Sequence, residues 1–196
     1  IVAKDSPIKT MADLKGKRIS VGAPKSGTEL NARAILKAAG LSYKDFAKVE
    51  YLPFGESVEL IKNRQLDVTL QSAGLGVASI RDLATSVKIV VVAVPADVVA
   101  KVGDPAYVAA MIPANTYTGQ TADVPTATIA NFLVTHEGVP ADTVYTMTKS
   151  LFDGLDTMVA AHAAAKAIKR ENALKGMPVP LHPGAERYYA GAAMPN

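Results

Sequence analysis

Residues 26–29, Ser-Gly-Thr-Glu, have the residue types and spacing in this chain that best suit the binding of a small anion. They follow an apolar strand and a Gly/Pro turn, at the point where a helix is predicted to begin. A helix start presents backbone N–H groups without intrahelical partners, together with the positive end of the helix dipole. Two interpretations stay open. The hydroxyls of Ser26 and Thr28 and the small Gly27 serve a bound carboxylate or phosphate, or Ser26 only caps the helix in a capping box with Glu29.

A second polar loop, Gln71-Ser72-Ala73-Gly74, follows a later predicted strand and precedes another predicted helix. Gln71 and Ser72 would hydrogen-bond a small polar ligand, and Gly74 would leave space for it. The alternative is an ordinary polar turn. In open α/β sheets ligands bind beyond the carboxyl ends of the strands, so we expect both loops to converge at one edge.

The residues that catalysis or metal binding would need are absent or poorly spaced. The chain has no cysteine, which excludes thiol chemistry and thiolate metal sites. Its three histidines, His136, His162 and His182, lack the spacing of a metal pair, and Ser26 does not lie in a nucleophile elbow. A Walker loop is excluded too, because the Lys-Ser/Thr pair that must follow its second glycine is missing. We therefore expect no enzyme activity, no catalytic residue, no metal and no cofactor.

Short strands and helices alternate through the first half of the chain, and the strands are nearly continuous in apolar residues. This pattern is typical of a parallel sheet covered on both faces, and it predicts an α/β fold. The predicted strands are residues 1–3, 18–21, 49–52, 67–70 and 87–94. The predicted helices are a short one that begins after Thr10 and three longer ones over residues 28–39, 56–63 and 77–84.

The second half of the chain has a different pattern. Residues 95–123 are rich in Pro, Gly, Thr and Tyr, and they predict an irregular connection between two lobes. Residues 124–134 predict a strand, or a strand that passes into a helix. Beyond them the apolar residues step by three and four, which predicts a helix over residues 141–159 with a break at Gly154, and a second over residues 160–174. A turn and a short helical segment are predicted within residues 180–189.

Composition narrows the class of partner. The 196 residues are 49% hydrophobic and 20% charged, and the formal net charge is only +3. The lysines are spread along the chain, so we expect no nucleic-acid partner, which would need a basic stripe. The longest apolar run, residues 89–94 with its flanks, is far too short to span a bilayer. The sequence starts in what reads as the middle of a strand, so we expect it to begin inside a longer protein.

Several motifs together resemble one family of binding proteins. Residues 8–22, Ile-Lys-Thr-Met-Ala-Asp-Leu-Lys-Gly-Lys-Arg-Ile-Ser-Val-Gly, and residues 26–28 resemble the start of the second lobe of periplasmic solute-binding proteins. Three later segments resemble the TAXI family, the TRAP-associated extracytoplasmic immunogenic proteins, which deliver solutes to tripartite ATP-independent periplasmic transporters. These segments are residues 115–120 (Asn-Thr-Tyr-Thr-Gly-Gln), 144–152 (Val-Tyr-Thr-Met-Thr-Lys-Ser-Leu-Phe) and 180–189 (Pro-Leu-His-Pro-Gly-Ala-Glu-Arg-Tyr-Tyr).

The resemblance, which extends from about Ile1 to Ala190, implies a two-lobe, type II periplasmic-binding-protein-like α/β fold, truncated at its N-terminus. Residues 10–119 would form lobe two. Residues 1–9 and 120–196 would belong to lobe one, and the chain would recross the hinge near residues 120–125. The resemblance also implies a periplasmic location, with the signal peptide outside this chain.

The same resemblance implies that a small carboxylate solute, such as glutamate, glutamine or an organic acid, is clasped between the lobes and passed to TRAP membrane subunits. The implied ligand-binding residues are Ser26, Gly27, Thr28, Gln71, Ser72 and Gly74. Ala73 and Gly76 depart from the Gly and Pro that the family usually has there. Uncovered apolar surface would allow the truncated chain to self-associate. Two other classes stay open: the ligand-sensing domain of a transcription regulator with this fold, and an enzyme acting on an anionic substrate.

Overall fold

The computed structural model describes residues 1–3 and 5–191, and the chain divides into two compact units, Ile1–Ile129 and a second that begins at Ala130. Each unit is built around its own helices, and the first contains both sheets. The predicted lobe boundaries, residues 1–9, 10–119 and 120–196, remain predictions. In the described part of the chain no helix combines the length and apolar character that crossing a membrane requires.

A five-stranded sheet forms the centre of the first unit. Its order is β3-β2-β4-β1-β5, with β1 (Val2–Ala3), β2 (Arg18–Ser20), β3 (Lys48–Glu50), β4 (Val68–Thr69) and β5 (Ile89–Val90). β2 runs parallel to β3 and β4, whereas β1 runs antiparallel to β4 and β5. The prediction of a parallel sheet was therefore wrong for β1, because pairing direction depends on where the strand inserts and not on its composition.

Three helices cover this sheet: α1 (Gly27–Ala38), α2 (Phe54–Lys62) and α3 (Ala78–Ser86). The buried positions of α1 are spaced by three and four residues, and Leu36 packs in one hydrophobic core with the strand residues Ile19 and Val68. α2 and α3 contribute to a second core that includes Leu83. Two separate cores against one sheet are what a sheet covered on both faces requires. The predicted α/β class and alternation are confirmed.

Residues 95–123 do not form the irregular connection that the sequence predicted. They contain α4 (Ala96–Lys101) and β6 (Tyr107–Ile112), and β6 pairs antiparallel with β7 (Val124–Ile129). The register runs from Tyr107 opposite Ile129 to Ile112 opposite Val124. The turn between the strands is held by the Gln120 side chain, whose Nε2 lies 2.9–3.2 Å from the carbonyl oxygens of Ile112, Pro113 and Ala122.

The second unit is helical. α5 (Ala141–Asp153) and α6 (Leu155–Ala161) meet at Gly154, so the predicted break there is confirmed. The predicted helix over residues 160–174 is wrong: His162 adopts an extended backbone, and only short 3₁₀ turns follow, at Ala163–Ala167 and Arg170–Asn172. α7 (Pro183–Gly191) matches the predicted helical segment and packs on α5 through Gly184.

Candidate functional site

The two polar loops lie at the same edge of the five-stranded sheet. β2 and β4 are neighbouring parallel strands, so the loops that follow them, residues 21–26 and 70–77, leave the sheet in the same direction. A hydrogen bond joins the two regions: Asn31 Nδ2, one turn into α1, donates to Ser72 Oγ at 2.9 Å. The structure thus brings the helix start at Ser26 and the loop at Ser72 together.

The first turn of α1 has N–H groups without acceptors. Ser26 is the N-cap, and its Oγ accepts from the backbone N–H of Glu29 at 3.2 Å. The Ser26 N–H is used within the preceding turn, where it donates to the Ala23 carbonyl. No residue that the structure describes accepts from the N–H groups of Gly27 and Thr28 or hydrogen-bonds the Thr28 hydroxyl. These three donors are therefore available at a positive helix end.

Glu29 does not supply the missing acceptor. Its side chain is only 6% exposed, and its Oε1 accepts from Arg33 Nη2 at 2.6 Å and from the Tyr43 hydroxyl at 3.0 Å. The hydrogen bonds from Arg33, ahead of those from Tyr43, lower the pKa of the Glu29 carboxyl against the opposing effect of burial. The capping box is therefore formed on one side only, because the carboxylate turns to a neighbouring cation and leaves the helix start.

Gly22 allows the loop to pass close to the helix start. Its φ is +96°, and an added Cβ would lie 2.6 Å from Thr28 Cγ2 and 3.2 Å from Ser26 Oγ. Only glycine fits such an approach in that backbone region without strain. Lys25, with φ +59°, is exposed and makes no ion pair with any residue that the structure describes. The loop thus holds Thr28 in place and carries an exposed cation, Lys25, two residues before Gly27.

The predicted residues of the second loop differ in their contacts and exposure. Gln71 is tied internally, since its Oε1 accepts from Ser79 Oγ at 2.7 Å and its Nε2 lies 3.4 Å from Thr69 Oγ1. Ser72 and Gly74 are exposed. Gln71 therefore braces the loop, while Ser72 presents its hydroxyl at the surface.

Two residues of this region were not identified from the sequence, Asn31 and Tyr107. The Tyr107 hydroxyl donates to Asn31 Oδ1 at 2.9 Å, and burial is the main cause that raises the pKa of that phenol. Asn31 occupies the position four residues after Gly27, which is the same face of the helix, and this spacing was the available signal. Tyr107 lies in β6, within the segment predicted as irregular, so no local pattern pointed to it.

The three histidines make local structural hydrogen bonds. Each histidine holds a local turn, because its Nδ1 accepts a backbone N–H at 3.1–3.2 Å, from Gly138, Ala164 and Gly184 for His136, His162 and His182. Across residues 1–3 and 5–191 there is no group of three acidic or histidine side chains that would hold a metal ion. Two open surface grooves, of about 310 and 420 Å³, lie elsewhere on the first unit and are not lined by the six predicted ligand-binding residues.

This chain is similar to a known protein family and to solved structures that include a bacterial binding protein. The periplasmic aliphatic sulphonate binding protein SsuA from Escherichia coli is 30% identical over the matched region, with a TM-score of 0.33. That match covers 36% of this chain and only 22% of the length of SsuA. The mixed α/β architecture agrees with the predicted type II periplasmic-binding-protein-like fold. Residues 1–191 match the NMT1-like family, which is periplasmic binding protein-like, and the chain belongs to that family.

Proposed function

We propose that this protein is an extracytoplasmic solute-binding protein that holds a small carboxylate-bearing solute at the start of α1. One observation carries the proposal: the N–H groups of Gly27 and Thr28 have no acceptor among the described residues, while the nearby Glu29 carboxylate is turned to Arg33 and Tyr43. A ligand carboxylate supplies the acceptor that the helix lacks. The function involves binding without covalent chemistry.

The energetics favour an anion over a neutral ligand. A hydrogen bond to a charged group contributes about 1.5–3 kcal/mol, roughly twice the contribution of a neutral one. The Thr28 hydroxyl and the two backbone N–H groups are donors, and Lys25 is an exposed cation two residues before Gly27 in the sequence. Two or three such bonds contribute about 3–9 kcal/mol, whereas a micromolar dissociation constant corresponds to about 8 kcal/mol, so further contacts with the solute must offset the cost of association.

The second loop completes the proposed site. Ser72 offers one more hydroxyl at the same sheet edge, and Gly74 leaves the approach open. Gln71 shapes the loop through Thr69 and Ser79 and contacts the ligand with its remaining N–H. In the proposed site, the N–H groups of Gly27 and Thr28 and the hydroxyls of Thr28 and Ser72 donate to the ligand. Ser26 caps the helix start, and Gln71 supplies a braced amide.

The finer assignment rests on the sequence resemblance. The three motifs at residues 115–120, 144–152 and 180–189 support placement in the TAXI family, and hence delivery of the solute to the membrane subunits of a TRAP transporter in the periplasm. Membership of the NMT1-like family supports the broader role of a binding protein. Glutamate, glutamine and small organic acids are the proposed solutes.

The proposal is tested by isothermal titration calorimetry of the full-length protein with L-glutamate, L-glutamine, pyruvate, succinate and 2-oxoglutarate. We expect at least one of these carboxylates to bind, and Thr28→Val to weaken that binding at least tenfold. Valine keeps the methyl group that faces Gly22 and removes only the hydroxyl.

Thr28→Ser is the matched control, because it keeps the hydroxyl and loses the methyl group. We expect its affinity to stay within about threefold of the wild type. Binding of none of the five compounds, or equal affinities of the wild type and Thr28→Val, would contradict the proposed site.

A further inference from the structure

Three side chains from distant parts of the first unit form a chain of hydrogen bonds that ends at the proposed site. The Tyr107 hydroxyl on β6 donates to Asn31 Oδ1 at 2.9 Å, and Asn31 Nδ2 donates to Ser72 Oγ at 2.9 Å. Asn31 is separated by 76 residues from Tyr107 and by 41 from Ser72. The contacts therefore tie together the helix, the second polar loop and the two-stranded sheet.

The orientation of the Asn31 amide sets the direction of these hydrogen bonds. Its Oδ1 faces the Tyr107 hydroxyl and can only accept, so the phenol donates, and its NH₂ group faces Ser72. Ser72 Oγ thus accepts, and its own proton has no acceptor among the residues that the structure describes. This series of hydrogen bonds leaves the Ser72 hydroxyl able to donate to a ligand. The Tyr107 phenol is protonated at neutral pH, since its ordinary pKa is 10.0 and burial raises that pKa further.

Asn31 connects this series of hydrogen bonds to the helix start. It follows Gly27 by four residues, about one helical turn and about 6 Å along the axis, so the two residues share a face of α1. Side chains on a helix lean toward its N-terminus, so the Asn31 amide covers the turn that contains Gly27 and Thr28. Ser72 is 2.9 Å from that amide. The Ser72 hydroxyl proton and the N–H groups of Gly27 and Thr28 are thus donors without an acceptor among the described residues.

We infer that Tyr107 and Asn31 orient the Ser72 hydroxyl so that it donates its proton to a ligand carboxylate. This inference rests on the proposed function and goes beyond it, because it assigns positioning roles to Asn31 and Tyr107. Neither residue needs to touch the ligand. Both act by holding the Ser72 hydroxyl in the donating orientation, so their loss weakens binding only while Ser72 is present.

A double-mutant cycle in the full-length protein tests this dependence. The probe is whichever carboxylate of the calorimetric panel binds the wild type most tightly. We expect Ser72→Ala to weaken its binding about tenfold, as expected for the loss of one charge-assisted hydrogen bond. Tyr107→Phe should weaken binding three- to tenfold in the wild-type background and less than 1.5-fold in the Ser72→Ala background.

Tyr188→Phe is the matched control. It removes a tyrosine hydroxyl that accepts a hydrogen bond from Arg170 within the second unit, and we expect its affinity to stay within about 1.5-fold of the wild type. The melting temperatures of Tyr188→Phe and Tyr107→Phe show whether either change merely loosens the fold.

Two results overturn the inference and are distinguishable. If the wild type binds no carboxylate of the panel, the proposed function fails and the inference fails with it. If a carboxylate binds and Tyr107→Phe weakens it equally in both backgrounds, or not at all, the proposed function stands and the positioning role is refuted. Loss of the Tyr107 effect in the Ser72→Ala background, with the affinity of Tyr188→Phe unchanged, supports it.

Discussion

Replacing Gly22 by alanine tests the loop geometry on which the proposed site depends. The new Cβ would lie 2.6 Å from Thr28 Cγ2 and 2.7 Å from Thr28 Cβ, well inside van der Waals contact. Its backbone would also have to keep φ at +96°, which L-residues rarely adopt. Two separate costs therefore act at one position.

The magnitude follows from these two costs. The left-handed backbone costs an L-residue about 1–2 kcal/mol, and overpacking of this kind costs about 1–3 kcal/mol. We expect Gly22→Ala to lower the free energy of unfolding by about 2–5 kcal/mol, the sum of the two costs, measured by urea denaturation monitored by circular dichroism. The displaced Thr28 should also weaken binding of the carboxylate probe.

Gly16→Ala is the matched control for this experiment. Gly16 has φ +74°, and an added Cβ would meet no atom within 4 Å, so its substitution measures backbone strain without a clash. We expect a loss of only about 1 kcal/mol. Equal losses for Gly16→Ala and Gly22→Ala would refute the close approach between the loop and Thr28.

Two further predictions concern stability. Hydrogen bonds from Arg33 lower the pKa of Glu29 from its ordinary 4.5, so the contribution of this ion pair to stability is fully present above pH 4.5 and is lost as pH falls through the lower folded-state pKa. Glu29→Gln should therefore lower the free energy of unfolding, measured by urea titration, by about 1–2 kcal/mol at pH 7 and by progressively less below pH 4.5. A loss that is independent of pH would contradict the ion pair. In the second unit, a Cβ on Gly184 would lie 2.1 Å from the Ala141 carbonyl oxygen and 2.8 Å from Tyr145 N. Gly184→Ala should therefore lower the free energy of unfolding by about 3 kcal/mol and speed amide hydrogen exchange in α5 and α7, and unchanged exchange would contradict the packing of these two helices.

Local signals in the sequence predicted much of the first unit. Ser26 as a cap and Gly40 as a terminator are short-range features, so the predicted helix over residues 28–39 differs from α1 by one residue at each end. The apolar strands were predicted for the same reason. The location of the two polar loops at one sheet edge then followed from the topology of parallel strands.

Features that depend on distant residues were not predicted. β6 exists because Tyr107–Ile112 pairs with β7, and that pairing is invisible in the composition of residues 95–123. The predicted helix over residues 160–174 is interrupted where His162 takes an extended backbone and its Nδ1 accepts the Ala164 N–H, which overrides the helix propensity of the alanines.

In the candidate site, too, local features were predicted from the sequence, whereas contacts with distant residues were not. The cap at Ser26 was predicted from the spacing, but the orientation of Glu29 was not, because Tyr43 reaches it from outside the helix. The partners of Asn31 lie even further along the chain. Sequence spacing therefore located the donors, and tertiary packing decides which of them are left free.

The most direct test of the central claim is the response of the Gly27 and Thr28 backbone amides to a carboxylate, measured in ¹H–¹⁵N NMR spectra of the full-length protein. We predict that saturation with the tightest-binding carboxylate of the panel shifts both amide protons downfield, because they gain a charged acceptor. The N–H of Gly40, at the opposite end of α1, should not move. Calorimetric binding of that carboxylate with the Gly27 and Thr28 resonances unchanged would contradict the account.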